Sequence, residues 1–399
     1  MKGTILRKRG VLILDRQKFK AQVEQAAREA KGIFEELHSW PELGNEEFKT
    51  VTLIGKKLKE LGLGIERPLA TAVVVNIKGT GGGTLKKTIA FRADIDALPI
   101  AEEAMVSYRS RRAGIMHACG HDAHTAILLG LARVLCGMRE ALQCDVRLIF
   151  QPDEEGNGSA ERLVRLGILK GVDRIFGFHV RPELNAGSIG LPYGTVHGES
   201  RVCRIEVKGE ASHGARPDQG KDAVYGAAEF ISICQSIVSR DLGPDKAGLI
   251  SFGKIEGGTG GNILAGQVHI DGIVRGENAQ ICDFLCSRMN VIAKGLSQVL
   301  ELRITPEFEQ GCRAVVNDEA SVEMVKTAAA GKLIEMKELS LTVDDFSAYL
   351  RKVPGAYFFL GSGYEGKNNS GLHTSRFQVN EECLETGIET LAGICTQKL

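Results

Sequence analysis

Nine consecutive residues, MHACGHDAH at 116–124, concentrate side chain types that bind metal ions. The residues concerned are His117, Cys119, His121, Asp122 and His124. Thiolate and imidazole are preferred ligands of zinc, and carboxylates suit harder divalent ions such as manganese. The alternative is a loop of solvated histidines beside one buried cysteine. Because three of the nine histidines of the chain fall in this segment, the pattern favours a metal site.

Acidic residues follow a predicted buried strand at 146–150, where Asp153, Glu154 and Glu155 are consecutive. Ligands of open α/β sheets bind beyond the carboxyl ends of the strands. Adjacent carboxylates repel one another, and a bound cation would offset that repulsion. An acidic, glycine-rich surface turn is the alternative. His179 is predicted at the end of another strand, where a hydrogen-bonded structural histidine is the competing interpretation.

The segment FRADIDALPI at 91–100 reads as a strand that ends in acidic residues. A regular strand places Asp94 and Asp96 on the same side. A carboxylate there can orient a ligand histidine, although turn acids would give the same pattern. His373 lies in a loop rich in Gly, Asn and Ser, and on its own it indicates no role.

The elements that must position these residues follow from the apolar pattern. Helical spacing covers about 16–38 and 46–61, with Pro41 and Gly44 between the two helices. A further helix is predicted after His124. Short apolar runs predict buried strands, which are 73–77, 88–94, 146–150 and 174–178. Alternating strands and helices predict an α/β domain with a largely parallel sheet.

From about residue 198 the order of predicted elements changes to strand, helix, strand, strand, helix, strand. That order is typical of a ferredoxin-like unit. Helices and strands of the first type then resume, so the smaller domain is predicted to be inserted into the larger one. The predicted parts are 1–197 and 306–399 for the large domain and 198–305 for the small domain.

Length and composition restrict the classes of protein that remain. The chain has 399 residues, more than the ~250–300 at which one core stops growing, which favours two domains. Fifty basic and fifty acidic residues balance, which disfavours a nucleic-acid partner. No run approaches the ~20 apolar residues of a membrane span, and the run at 11–14 is too short for a signal peptide. We therefore expect a cytoplasmic protein with ten free cysteines.

Taken together, eight segments resemble the amidohydrolase branch of the metallopeptidases, in the order of that family. That branch includes hippurate hydrolases, aminoacylases, hydrolases of auxin conjugates and aminobenzoyl-glutamate hydrolases. The segments are RADIDALP, MHACGHDAHTAILLG, FQPDEEG, GFHV, KGEASHGARPDQGKDAV, GGTGGNILAGQVHIDGIVRG, AVVND and LHTSRF, and HSWPELGNEEFKT resembles the N-terminal helix motif. The resemblance implies a catalytic α/β domain with an inserted ferredoxin-like domain that serves as lid and dimerisation surface.

The resemblance also implies a role for each matching residue. The implied ligands of two divalent ions per subunit are Cys119, His121, Glu155, His179 and His373. Zinc or manganese is expected, with cobalt and nickel as further options. Glu154 matches the general base, and His213 matches a lid histidine that reaches the active site of the neighbouring subunit. Asn262 and Arg275 match lid positions that bind substrate, while Asp94 and Asp96 are expected to orient the ligands.

The implied reaction is hydrolysis of the amide bond of an N-acyl amino acid or a related small amide. We expect a homo-oligomer formed through the lid and no nucleic-acid or membrane partner. Three positions depart from the family pattern. Asp153 and Ala265 stand where a small residue and a proline are usual, and LHTS lacks a proline that often follows the histidine.

Other functions stay open at this point. A thiol hydrolase using Cys119 would leave Glu154, Glu155, His179 and His373 unexplained, and it would survive chelation. A non-catalytic ligand-binding protein of the same fold would bind metal without releasing amine. A metal-dependent dipeptidase or carboxypeptidase would use the same ions on a different substrate.

Overall fold

The computed structural model describes residues 16–81, 87–329, 331–337 and 339–397, together with the backbone of the pairs 7–8 and 11–12. The apolar run at 11–14 therefore lies partly outside the described residues. The chain divides into two compact units. The first comprises Met1–Gly194, Val316–Lys337 and Ala348–Leu399, and the second comprises Thr195–Val315 and Glu338–Ser347.

The helices and strands have the following bounds in chain order. The first part of the first unit holds β1 (Arg7–Lys8), β2 (Val11–Leu12), α1 (Arg16–Ser39), α2 (Phe48–Glu60), β3 (Ile65–Glu66), β4 (Val73–Ile77), β5 (Thr88–Asp94), α3 (His121–Gly137), β6 (Asp145–Gln151), α4 (Ala160–Arg165), β7 (Arg174–Asn185) and β8 (Ile189–Pro192). There follow β9 (Thr195–His197), β10 (Glu199–Lys208), β11 (Ser212–His213), α5 (Ala223–Ser236), β12 (Gly248–Gly257), β13 (Ile263–Leu264), β14 (Gln267–Gly276), α6 (Ala279–Leu300) and β15 (Arg303–Gln310). The chain then forms β16 (Val315–Val316), α7 (Glu319–Ala329), β17 (Leu333–Met336), α8 (Ser347–Leu350), β18 (Gly355–Gly363) and α9 (Glu382–Cys395).

Within the described residues, the first unit is built on an eight-stranded sheet of order β17-β8-β18-β7-β5-β6-β4-β3. The pairs β17/β8, β18/β7, β7/β5 and β5/β6 are parallel, and the other pairs are antiparallel. The central strands are buried along almost their whole length, which is why they appear in the sequence as continuous apolar runs. The predicted α/β fold with a mostly parallel sheet is confirmed.

Helix α3 is fixed in place by the packing of α1 and α9 against it. Along α1, Val23, Ala26, Ala30 and Phe34 recur at helical spacing and are buried. Burying a side chain such as that of Phe34 contributes ~1.5–3 kcal/mol, so this stripe holds α1 against the core. The position of the first residue of α3, His121, is therefore set by a rigid element.

The second unit has a four-stranded antiparallel sheet, in the order β12-β14-β10-β15, within the part of the chain that is described. Helices α5 and α6 pack on one face of this sheet. Asp222 caps α5 by accepting from the backbone N–H groups of Val224 and Tyr225, and Asn278 caps α6. The order β10-α5-β12-β14-α6-β15 is ferredoxin-like, as predicted.

The described ranges include all ten cysteines, and each of them is a free thiol. Across the same ranges, we find no helix whose length and apolar character would let it cross a membrane.

Candidate functional site

The predicted site residues of the first unit lie at or beyond the ends of neighbouring elements. Asp94 is the last residue of β5, and β6 ends at Gln151, just before the acidic turn. The carboxyl ends of these two parallel strands meet at one edge of the sheet. His179 differs from the expectation, because β7 does not end there but continues to Asn185 alongside β18.

The five predicted metal ligands converge in space. Cys119 Sγ lies 3.3 Å from His179 Nε2 and 3.3 Å from His373 Nε2. Glu155 Oε1 lies 3.0 Å from His373 Nε2, which is ion-pair range without hydrogen-bond geometry, and 3.9 Å from His121 Nε2. Residues separated by up to 254 positions in sequence are thus brought into direct contact.

Hydrogen bonds fix which nitrogen of two of these histidines faces the cluster. His121 Nδ1 donates to Asp96 Oδ1 over 3.2 Å, and His179 Nδ1 donates to the carbonyl oxygen of Val180 over 2.7 Å. Each ring therefore presents Nε2 to the cluster. An acceptor behind the ring is the usual way in which a metal-binding histidine is oriented.

The two histidines differ in charge. Burial lowers the pKa of His121, but the charges of Asp94 and Asp96 and the hydrogen bond to Asp96 outweigh burial and raise it to about 10. Burial, followed by the electrostatic effect of the neighbouring His124, lowers the pKa of His179 to about 3. His121 therefore holds an extra proton near neutral pH, whereas His179 is neutral.

The thiol of Cys119 and the carboxyl of Glu155 also differ in their pKa values. Burial and the charges of Glu155 and Glu154 raise the pKa of Cys119 well above its usual range, so the thiol keeps its proton. Burial raises the pKa of Glu155, but His373 and His121 outweigh this and hold the pKa at about 2. If a divalent ion displaced the protons of Cys119 and His121, it would be held by the thiolate of Cys119, the neutral ring of His121 and the carboxylate of Glu155.

The donor set fits a divalent ion. Among the described residues, the buried atoms His121 Nε2 and Glu155 Oε1 have no hydrogen-bond partner. Ligand atoms of Cys119, His121 and Glu155 all lie within 4.8 Å of one another. Buried polar atoms without partners are costly, and a metal ion would satisfy them.

His124 belongs to the segment predicted to bind metal, but the sequence indicated no individual role for it. Its Nδ1 donates to Asp94 Oδ1, and its Nε2 accepts from the backbone N–H of Val180 over 2.9 Å. Ligand atoms of Asp94, His121, His124 and His179 form a second compact group within 4.8 Å. The spacing of three residues between His121 and His124 on one helix was the available signal, because such residues share a face.

A buried charged network holds the start of α3. His38 Nδ1 lies 2.6 Å from Asp122 Oδ2, and His38 Nε2 lies 3.1 Å from Glu102 Oε1. Burial lowers the pKa of His38, but the two carboxylates outweigh burial and raise it to about 9. Removing one partner from such a network typically costs ~3–5 kcal/mol, so it ties α1 firmly to the residue that follows His121.

Three further predicted site residues, His213, Asn262 and Arg275, belong to the second unit. His213 on β11 pairs with Ile263 on β13, and Gly214 N–H donates to the carbonyl oxygen of Asn262 over 2.8 Å. His213 is exposed, and its Nδ1 accepts from Ala215 N–H over 3.1 Å. In the neutral ring the proton is therefore on Nε2, which is the nitrogen available as a donor.

Arg275 lies on β14 opposite Ser200 of β10. Its side chain is half-buried, and burial lowers its pKa. Within the described part of the chain, the buried atom Nη1 has no hydrogen-bond partner. A half-buried guanidinium with an unsatisfied donor is suited to an anionic ligand group.

Comparison with known proteins shows the family of this chain. The model of the peptidase family M20/M25/M40 matches residues 90–397. The chain belongs to this family. It is therefore a hydrolase that acts on amide bonds.

The relatives span almost the whole chain. The N-acetyl-L-cysteine deacetylase of Bacillus subtilis is 35% identical over 378 residues, covering 94% of this chain and 89% of the relative. Thermostable carboxypeptidase 1 of Saccharolobus solfataricus is 32% identical over 362 residues, covering 89% and 91%. A crystal structure from Bacillus subtilis, described as a dinuclear metal-binding peptidase of the M20 family, superposes with a TM-score of 0.82. It is 29% identical and covers 94% of this chain and 98% of that one.

Proposed function

We propose that the chain is a two-metal aminoacylase that cleaves the amide bond of N-acyl amino acids. The observation that carries the proposal is the convergence of the Cys119 thiol with the rings of His179 and His373 and the carboxylate of Glu155. His121 completes the set, with a buried Nε2 that lacks a partner among the described residues. A thiol nucleophile alone would not need these surrounding groups.

Two relatives support the finer points of this proposal. One related enzyme is named for removing an acetyl group from an amino acid, and one related structure is described as dinuclear. The mixture of thiol, imidazole and carboxylate favours zinc or manganese. Ten free thiols fit a reducing compartment such as the cytoplasm.

The proposed catalytic steps use the residues of the first unit. When bound, the ions supply a water of lowered pKa and polarise the substrate carbonyl. Glu154, next to the ligand Glu155, takes a proton from the attacking water as the new C–O bond forms. Glu154 then gives that proton to the leaving nitrogen as the C–N bond breaks. The products are a carboxylate and a free amine.

The second unit supplies the groups that bind and stabilise the substrate. His213 Nε2–H donates to the oxygen of the tetrahedral intermediate, in the site of a neighbouring copy. Arg275 holds the carboxylate of the amino acid, consistent with its unsatisfied Nη1 in the described structure. Asn262, whose backbone is paired with Gly214 beside His213, contributes a further polar contact to the substrate.

Association of copies through the second unit is part of the proposal. Strand β12 is the terminal strand of the four-stranded sheet and is ten residues long. The C-terminal half of β12 is exposed, including Ile255 at 53%. A long exposed edge strand is a template for pairing with another chain, which fits a homodimer formed edge to edge.

The second candidate is a carboxypeptidase or dipeptidase, favoured by the thermostable carboxypeptidase among the relatives. The test is amine release from a panel of acetyl-, benzoyl- and aminobenzoyl-amino acids and unblocked dipeptides, using stripped protein with zinc or manganese added back. We expect cleavage of the acylated compounds and loss of all turnover on chelation. Turnover only of substrates with a free amine would favour the dipeptidase. Metal uptake with no cleavage of any amide would contradict both.

A further inference from the structure

The turn that carries Glu154 and Glu155 begins with an unfavourable backbone conformation. Asp153 has φ +53°, in the left-handed region. L-residues other than glycine rarely adopt this region, although Asp and Asn tolerate it better than most. Such a residue persists only where its surroundings hold it in place.

Glu47 supplies the contact that holds this residue. The backbone N–H of Asp153 donates to Glu47 Oε1 over 2.9 Å. Glu47 immediately precedes α2 and is 106 positions away in sequence. It is fully buried, and among the described residues its Oε2 has no hydrogen-bond partner. Burial of a carboxyl costs free energy, and the hydrogen bond to Asp153 is the contact through which Glu47 acts on this turn.

The side chain of Asp153 is tightly enclosed. It is 3% exposed, and its Oδ2 has no partner within the described structure. A Cβ atom at Gly44 or at Gly156 would lie 2.4 or 2.3 Å from Asp153 Oδ1. The carboxyl therefore occupies a slot that exists only because both neighbours are glycine. The strain at residue 153 is balanced from outside, by Glu47.

The rest of the turn is held from other elements as well. Ser159 Oγ donates to the carbonyl oxygen of Pro152, and the N–H of Glu155 donates to Asp96 Oδ2 over 3.0 Å. Glu47 is the contact that acts at the strained residue itself. Loss of this contact would release the backbone just before Glu154, whereas the other two contacts would remain.

We propose that Glu47 is a positioning residue, which keeps residue 153 in the left-handed conformation and thereby aligns Glu154 and Glu155. This inference rests on the roles proposed above for those two glutamates. Displacement of a catalytic group by ~1 Å can cost ~10²-fold in rate, so one hydrogen bond at this position has a large effect.

The first test compares Glu47→Ala with Glu47→Gln. Alanine removes the acceptor, and we expect kcat to fall about 10- to 100-fold with a smaller change in KM. Glutamine keeps an acceptor oxygen where Oε1 lies, so its kcat should stay within about threefold of wild type. Glu46→Ala is the matched control, since Glu46 is exposed and adjacent. Equal losses in the alanine and glutamine variants, or no loss in either, would overturn the proposal.

The second test asks whether relief of strain replaces Glu47. Glycine adopts the left-handed region without penalty, so Asp153→Gly should rescue Glu47→Ala. We expect the kcat of the double variant to be at least about tenfold higher than that of Glu47→Ala. The kcat of Asp153→Gly alone should be near the wild-type value. A double variant no better than Glu47→Ala would contradict the positioning role. If Glu47→Ala does not fold, the proposal requires that the added Asp153→Gly substitution restores a folded protein. A double variant that also fails to fold would contradict the proposal.

Manganese binding separates this inference from the proposed reaction. Mn²⁺ affinity of stripped protein is measured on the same variants by calorimetry, independently of turnover. Because Glu155 lies in the turn, Glu47→Ala should bind Mn²⁺ about tenfold more weakly, and Glu47→Gln should not. If the wild-type enzyme cleaves no amide, the proposed reaction fails while this comparison still tests Glu47. Unchanged Mn²⁺ affinity in Glu47→Ala would count against the inference.

Discussion

Replacement of Glu154 by glutamine should lower kcat by ~10²–10⁴-fold, the usual contribution of a general base. Glutamine has nearly the same shape and cannot accept a proton from water, so the loss is chemical. The five candidate ligands are untouched, and the bound metal should stay at the wild-type level. The measurement is kcat on the best acylated substrate, with metal content determined on the same sample.

A contrasting variant sharpens this result. Glu155→Gln alters a proposed ligand that lies 3.0 Å from His373 Nε2, so it should lose metal affinity as well as turnover. Near-wild-type kcat in Glu154→Gln with metal bound would remove Glu154 as the base. Loss of metal in Glu154→Gln but not in Glu155→Gln would show that the two roles are reversed.

Replacement of His213 by alanine should lower kcat by ~10²–10³-fold, as expected when a donor to the oxyanion is lost. The ring is exposed in the second unit, so its removal should leave the unfolding temperature unchanged. His269→Ala is the matched control, because His269 is also exposed and lies on β14 of the same unit. A similar loss in both variants would point to a general effect of the substitution.

Mixing the two inactive variants tests whether His213 acts across subunits. If each site combines Glu154 of one copy with His213 of another, a mixed dimer contains one intact site. Random exchange of subunits should then restore about a quarter of wild-type activity. If His213 acts on its own chain, the mixture should regain nothing, even after the subunits have exchanged.

The fold could be predicted because its signals are local. Continuous apolar runs reveal buried central strands, and the order of strands and helices reveals the ferredoxin-like unit. The ligand candidates could be found for a similar reason. Cys119 and His121 fall in one dense cluster, and Glu155 follows directly on a strand. The continuation of β7 beyond His179 was missed, because residue types after His179 do not form an apolar run.

Contacts between distant segments could not be predicted. The hydrogen bond from Asp153 to Glu47 depends on how α2 packs, and no pattern near either residue indicates it. The left-handed conformation of Asp153 could not be predicted either, because glycine is the residue that most strongly indicates such a conformation in a sequence. The same holds for Arg275, whose unsatisfied Nη1 follows from burial within the described fold.

Calorimetric titration of stripped protein with Mn²⁺ or Zn²⁺ tests the central claim most directly, because it counts ions and protons together. We predict two ions per chain and release of about two protons near neutral pH, from Cys119 and from His121, whose pKa is about 10. Since both groups must lose protons, affinity should rise as pH increases. A folded chain that takes up no divalent ion, or takes one up without releasing protons, would contradict the account.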